Sequence, residues 1–148
     1  MNLTVFSDEY FMKEALKEAQ NALETNEIPV GAIITVNNQI IARAYNQTEK
    51  LNDVTAHAEM LAFTAASNSI GGKYLKDCTL YVTLEPCNMC AGAAFWTQIG
   101  RIVFGASDKK RGFRVFSNSI IHPKTKLFGG VMEHECETIL KEFFKNMR

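Results

Sequence analysis

Residues 78–106, CTLYVTLEPCNMCAGAAFWTQIGRIVFGA, constrain the fold more than any other stretch of the chain. CTLYVTL is rich in β-branched and aromatic residues and reads as a buried strand. Pro86 suits the first turn of a helix, where the N–H it lacks would have had no partner. That helix is predicted to run to about Thr97, after which GRIVFGA supplies another short strand. Strands alternating with helices imply an α/β sandwich with a mostly parallel sheet.

The flanking segments extend the pattern. Phe11, Ala15, Leu16, Ala19, Ala22 and Leu23 recur at helical spacing, with Ser7 or Asp8 as cap, and predict a helix ending near Asn26. VGAIITV and QIIARAY flank Asn37-Asn38, a pair that tolerates the positive φ of a tight turn, and predict one antiparallel hairpin. A helix is expected from about Thr55 to Ser67, before the break at Gly71-Gly72. Beyond Ser107 the signal weakens, with some helix, a short strand around Leu127 to Gly130 and a last helix over Glu133 to Lys145. No repeat or linker interrupts the 148 residues, so residues 1–148 are expected to form one domain with its own core.

Composition narrows the setting. No apolar run approaches the roughly 20 residues that span a bilayer. The start, MNLTVFSDEY, turns acidic too early for a secretion signal, and the four cysteines lack a framework spacing; both predict a cytoplasmic protein. The net charge is zero but unevenly placed, −5 over residues 1–100 and +5 over residues 101–148. Lys109, Lys110, Arg111, Arg114, Lys124 and Lys126 lie in one acid-free run, which suits either phosphate contact or a solvated loop. Lys141, Lys145 and Arg148 are further candidates for phosphate contact.

Cys87 and Cys90, three apart, could be a redox pair, half of a structural zinc site or part of a catalytic metal centre. At i and i+3 they share one face of a helix start, and the helix dipole favours the thiolates a metal requires. His57 offers a third donor. Three protein ligands leave a fourth tetrahedral position for water or hydroxide, the mark of a catalytic zinc. Glu59 is then placed to accept the water proton and pass it on. Residues at i and i+2 on a regular helix point about 200° apart, so His57 and Glu59 converge only if the helix presents its first turn end-on. Cys78 and Cys136 read as buried, inert thiols, and His122 and His134 lack a partner at ligand spacing.

His57-Ala58-Glu59 with Pro86-Cys87-Asn88-Met89-Cys90 resembles the signature of the zinc-dependent cytidine/deoxycytidylate deaminase superfamily, whose H-x-E and P-C-x-x-C motifs and mechanism are established. EIPVGAII, AYNQTE, DVTAHAEMLA, LYVTLEPCNMCAGA, IGRIVFGASD and GGVMEHECETILKEFF together look like the bacterial tRNA-specific adenosine deaminases, over about Phe11 to Phe144. The resemblance implies a three-layer α/β/α sandwich with a mixed five-stranded sheet. It implies one zinc ion on His57, Cys87 and Cys90, with Glu59 as proton shuttle. Asn46 matches an asparagine that contacts the target base, although by itself it reads equally as a turn residue. Pro29, Val30 and the Ala58 backbone match walls of the base pocket. Asp108 and Lys110 fall on a D-x-K-x-G pattern that contacts neighbouring nucleotides. The implied partner is a tRNA anticodon loop, and the implied assembly is a homodimer.

Two rivals remain at this level. A deaminase of a free base or nucleoside (guanine, cytosine or cytidine) would share the zinc site, and a non-enzymatic zinc module would have no use for Glu59. The chain also departs from the family. After Gly112 it reads FRVFSNSIIHPKTKLFGG, where many relatives carry a small-residue Gly-Ala-x-Gly-Ser segment.

Overall fold

In a computed structural model, which describes residues 6–147, five strands form one sheet in the order β2-β1-β3-β4-β5. The strands are β1 (Gly31–Val36), β2 (Gln39–Tyr45), β3 (Thr79–Leu84), β4 (Arg101–Ala106) and β5 (Lys126–Phe128). The helices are α1 (Asp8–Glu24), α2 (Ala58–Ile70), α3 (Asn88–Thr97), the single turn α4 (Phe113–Phe116) and α5 (Glu133–Asn146). A 3₁₀ turn occupies Asn118–Ile120. The sheet is mixed, as the resemblance implies.

The strand pattern suggests a mostly parallel sheet, but the pairings divide evenly. β1 runs antiparallel to both β2 and β3, whereas β3–β4 and β4–β5 are parallel. Burial explains the order. β1 is buried along nearly its whole length and takes an interior slot, while β2 exposes Gln39 and Arg43 and accepts the edge. Asn37 and Asn38 make the hairpin turn with φ of 51° and 62°, the conformation expected of this pair.

Alternation along the strands builds two cores. Ile34, Leu80, Val82, Ile102 and Phe104 face Ala58, Ala62, Phe63, Ala66 and Ala94 of α2 and α3. Ile33, Tyr81 and Val103 face Phe11, Met12 and Ala15 of α1 and Cys136 of α5. This is the expected three-layer arrangement, with two helices on each face. α1 begins at Ser7, whose hydroxyl accepts the Tyr10 N–H at 3.0 Å. It crosses β1 at Gly31, where a Cβ would lie 2.1 Å from the Ala15 carbonyl oxygen. No other residue permits that approach.

Element boundaries shifted by a few residues. α2 starts at Ala58 rather than Thr55 and continues to Ile70, stopped by Gly71 at φ 72°. α3 starts at Asn88, so Pro86 precedes the cap instead of occupying the first turn. β5 begins at Lys126 and ends before Gly129. Arg148 lies outside the described residues.

Candidate metal centre and substrate pocket

The starts of α2 and α3 meet beside the sheet. His57 caps α2 with extended backbone (φ −74°, ψ 154°) and Cys87 caps α3 in the same way (φ −72°, ψ 174°). Because His57 stands outside the helix and Glu59 within its first turn, the 200° separation of a regular helix does not apply. The change of backbone conformation between them lets both reach one centre.

His57 Nδ1 lies 3.7 Å from Cys87 Sγ and 3.5 Å from Cys90 Sγ. Tetrahedral zinc with bonds of about 2.3 Å to sulfur and 2.05 Å to nitrogen requires an S···N edge of about 3.6 Å. Among the described residues, His57, Cys87 and Cys90 are the one group of such donors close enough to hold a metal. The donor set, two sulfurs and an imidazole nitrogen, is that of zinc.

The side chains already share protons in a way that prepares for a cation. The Cys90 thiol bonded to it, and the His57 imidazole with it, hold Cys87 down to about 4, so it is a thiolate at neutral pH. The same bond, together with burial, pushes Cys90 up. Binding a divalent ion displaces that remaining proton. Glu59 is 4% exposed, and burial pushes its carboxyl up to about 7. The remaining cysteines behave as expected. Cys78 and Cys136 are buried, and burial pushes Cys136 up to about 12.

Beside this cluster opens a pocket of about 220 Å³. Val30, Asn46, Ala58 and Asp108, which the resemblance assigns to the substrate, are among the residues that line it. Pro29 and Lys110 are not among the lining residues; Pro29 is buried and Lys110 is exposed, and Arg111 rather than Lys110 lines the pocket. Asn46 is 6% exposed and donates through Nδ2 to the Ile28 carbonyl at 3.3 Å. Its Oδ1 has no partner among the described residues, although buried carbonyl oxygens nearly always have one. Asn46 is also one of the residues that line the pocket, so this unpaired acceptor belongs to a wall residue.

Two buried carboxylates that the sequence pattern did not reveal support the walls. Glu27, 1% exposed, accepts the N–H groups of Glu49 at 3.1 Å and Lys50 at 2.8 Å, tying down the loop that leads to His57. Glu85, 3% exposed, pairs with Arg114. Burial pushes the Glu85 carboxyl up, but bonds from Arg114 and the backbone N–H groups of Asp108 and Arg114 outweigh it and hold it below the usual range. Glu85, at the end of the apolar run LYVTL, carried a hint in the sequence, whereas Glu27 follows the polar run Glu24-Thr25-Asn26 and carried none. Ile28, Thr48 and Leu84 complete the lining.

Residues 6–106 match the family model of the cytidine and deoxycytidylate deaminase zinc-binding region. The chain is 42% identical over 146 residues to the tRNA-specific adenosine deaminase of Bacillus subtilis, with 95% of this chain and 91% of that protein covered. Against the tRNA-specific adenosine deaminase of Aquifex aeolicus the identity is 45% over 145 residues, 95% of each chain. A structure from work on A-to-I editing by tRNA:A34 deaminases at the wobble position of transfer RNA overlays with a TM-score of 0.83. Its identity is 42%, over 88% of this chain and 99% of that one. A guanine deaminase from Nitrosomonas europaea, 20% identical, shares the fold with a TM-score of 0.77 over 91% of this chain and 83% of its own. With its paired ligand segments and full-length similarity, the chain belongs to the zinc-binding cytidine and deoxycytidylate deaminase family, among the tRNA-specific adenosine deaminases.

Proposed function

We propose that the protein is a zinc-dependent hydrolase that converts adenosine to inosine at the wobble position of tRNA. His57, Cys87 and Cys90 hold one zinc ion, and Glu59 moves the protons. The observation that carries this reading is the placement of Glu59, a carboxylate 4% exposed, beside two sulfurs and an imidazole nitrogen at the wall of an open pocket. A purely structural metal site gains nothing from such a group. Bound zinc supplies the Lewis acidity that makes water a competent nucleophile near neutral pH.

Glu59 takes a proton from the water that attacks C6 of adenine and delivers it to N1. It then carries the remaining hydroxyl proton to the amine as the C6–N6 bond breaks. Adenosine and water thus become inosine and ammonia. Val30 and Ala58 wall the base, and the open Asn46 Oδ1 accepts a hydrogen bond from it. Asp108 and Arg111 at the rim face the neighbouring nucleotides. Exposed Lys109, Lys110, Lys124, Lys126, Lys141 and Lys145 are suited to phosphates. An anticodon loop lowers the cost of unstacking the target, because its bases are already partly splayed.

On this reading the chain acts as a single cytoplasmic domain and pairs into a homodimer. Trp96, 76% exposed on the outer side of α3, supports burial against a second copy. Among the described residues no helix is long and apolar enough to cross a membrane.

The deciding experiment incubates the zinc-loaded protein with an anticodon stem-loop carrying wobble adenosine, and separately with guanine, adenine, cytosine and cytidine. A mass gain of about 1 Da in the stem-loop alone is the expected result. A gain only in a free base or nucleoside reassigns the substrate, and a gain in none removes the activity.

A further inference from the structure

The segment after Gly112, where the chain departs from the small-residue pattern of its relatives, is tied to the metal-ligand segment through an ion pair. The guanidinium of Arg114 forks onto Glu85, with Nε on one carboxylate oxygen and Nη2 on the other, each at 3.0 Å. The same carboxylate accepts the backbone N–H groups of Asp108 and Arg114 at 3.1 Å. Nη2 also donates to Ser107 Oγ at 3.0 Å, and the guanidinium stands 4.8 Å over the Phe104 ring. Arg114 is therefore fixed on three sides, a geometry that a lysine or a small residue cannot reproduce.

The fork brings two stretches of chain side by side. Phe113 N–H donates to the Pro86 carbonyl at 2.9 Å, and Cys87 bridges Gly112 in antiparallel fashion. The approach is close enough that a Cβ on Gly112 would lie 2.4 Å from the Glu85 carboxyl carbon. Between Ser107 and Arg114 the chain forms a turn in which Asp108 Oδ1 accepts the N–H groups of Lys110 at 3.1 Å and Arg111 at 3.0 Å. That turn leaves Asp108 and Arg111 lining the pocket.

We propose that Arg114 is a positioning residue for the substrate: by forking onto Glu85 it locks the 107–114 segment to the Cys87 segment and so sets Asp108 and Arg111 at the pocket rim. It acts through those two residues and touches no reacting atom. The proposal rests on the deaminase reading of the site. Small residues in the place of Arg114 leave Glu85 with backbone donors only, so a chain without the fork must hold its rim in another way.

The test combines kinetics with hydrogen exchange on the zinc-loaded, full-length protein. Arg114→Ala is expected to raise KM for the wobble-adenosine stem-loop about tenfold, equivalent to about 1.4 kcal/mol of binding, with kcat and zinc content unchanged. In an Arg111→Ala background the same change is expected to cost less than about threefold, because the residue through which it acts is gone. Arg114→Lys, which keeps the charge without the fork, recovers only part of the loss. An unchanged KM, an equal loss in both backgrounds, or zinc lost together with kcat would overturn the proposal. Exchange at the Asp108 and Arg114 amides reads the lock without catalysis and should accelerate in Arg114→Ala. A wild-type protein inactive on the stem-loop counts against the deaminase reading, whereas unaltered exchange in the variant counts against the lock.

Discussion

Glu59→Gln separates what the buried carboxylate costs the fold from what it does for turnover. Burial raises the Glu59 pKa from 4.5 to about 7, so the native state holds this proton more tightly than the unfolded chain does. The sign follows from linkage. The wild-type protein is favoured below the unfolded value of 4.5 and loses stability as pH rises through about 7, where a buried carboxylate must ionise. The interval from 4.5 to about 7, at about 1.36 kcal/mol per pH unit, amounts to roughly 3 kcal/mol when complete. The amide variant carries no such cost. Its stability gain should grow from below about 1 kcal/mol near pH 5 to roughly 3 kcal/mol near pH 8.5. Urea melts of the chelated, fully reduced proteins at the two pH values measure this difference directly. The zinc-loaded variant should keep its metal and lose roughly a hundred- to ten-thousandfold in kcat. A gain equal at both pH values would show that Glu59 does not titrate as a buried acid. Turnover within about tenfold of wild type would remove it from proton transfer.

Three further changes probe separate parts of the molecule. Cys87→Ala removes the cap residue and one of two sulfurs, and should abolish both stoichiometric zinc and turnover, as read by metal analysis alongside the stem-loop assay. Asn46→Ala removes one bond to Ile28 but also an unpaired buried oxygen, so stability should stay within about 1 kcal/mol while kcat/KM falls about tenfold or more. A variant that binds substrate normally but melts early would make Asn46 a scaffold residue. Gly31→Ala forces a Cβ to within 2.1 Å of the Ala15 carbonyl oxygen and 2.4 Å of the Ala19 nitrogen, so α1 must lift from the sheet. Chemical denaturation should show a loss of at least about 3 kcal/mol, and a loss below about 1 kcal/mol would mean the helix slides at little cost.

Features encoded by short-range geometry were legible in the amino-acid sequence. Cys87 and Cys90 are bound to one side of a helix start by their spacing, and only His57-x-Glu59 supplied complementary chemistry. Asn37-Asn38 specified its turn because few residue pairs accept positive φ twice in succession. Alternation and helical spacing located the elements, and the full-length resemblance supplied the order of layers. The sheet pairings were not legible from the strand pattern, since the place of β1 between β2 and β3 depends on which strand can be buried on both faces. The site's supports were hidden for a related reason. Glu27 meets the backbone of Glu49 and Lys50, Glu85 meets Arg114, and Arg111 rather than Lys110 faces the pocket. Each of these pairings joins single residues more than 20 positions apart or turns on the hand of one loop. No periodicity records them, because they arise only when the packed helices and strands bring the segments together and a buried charge must find its partner.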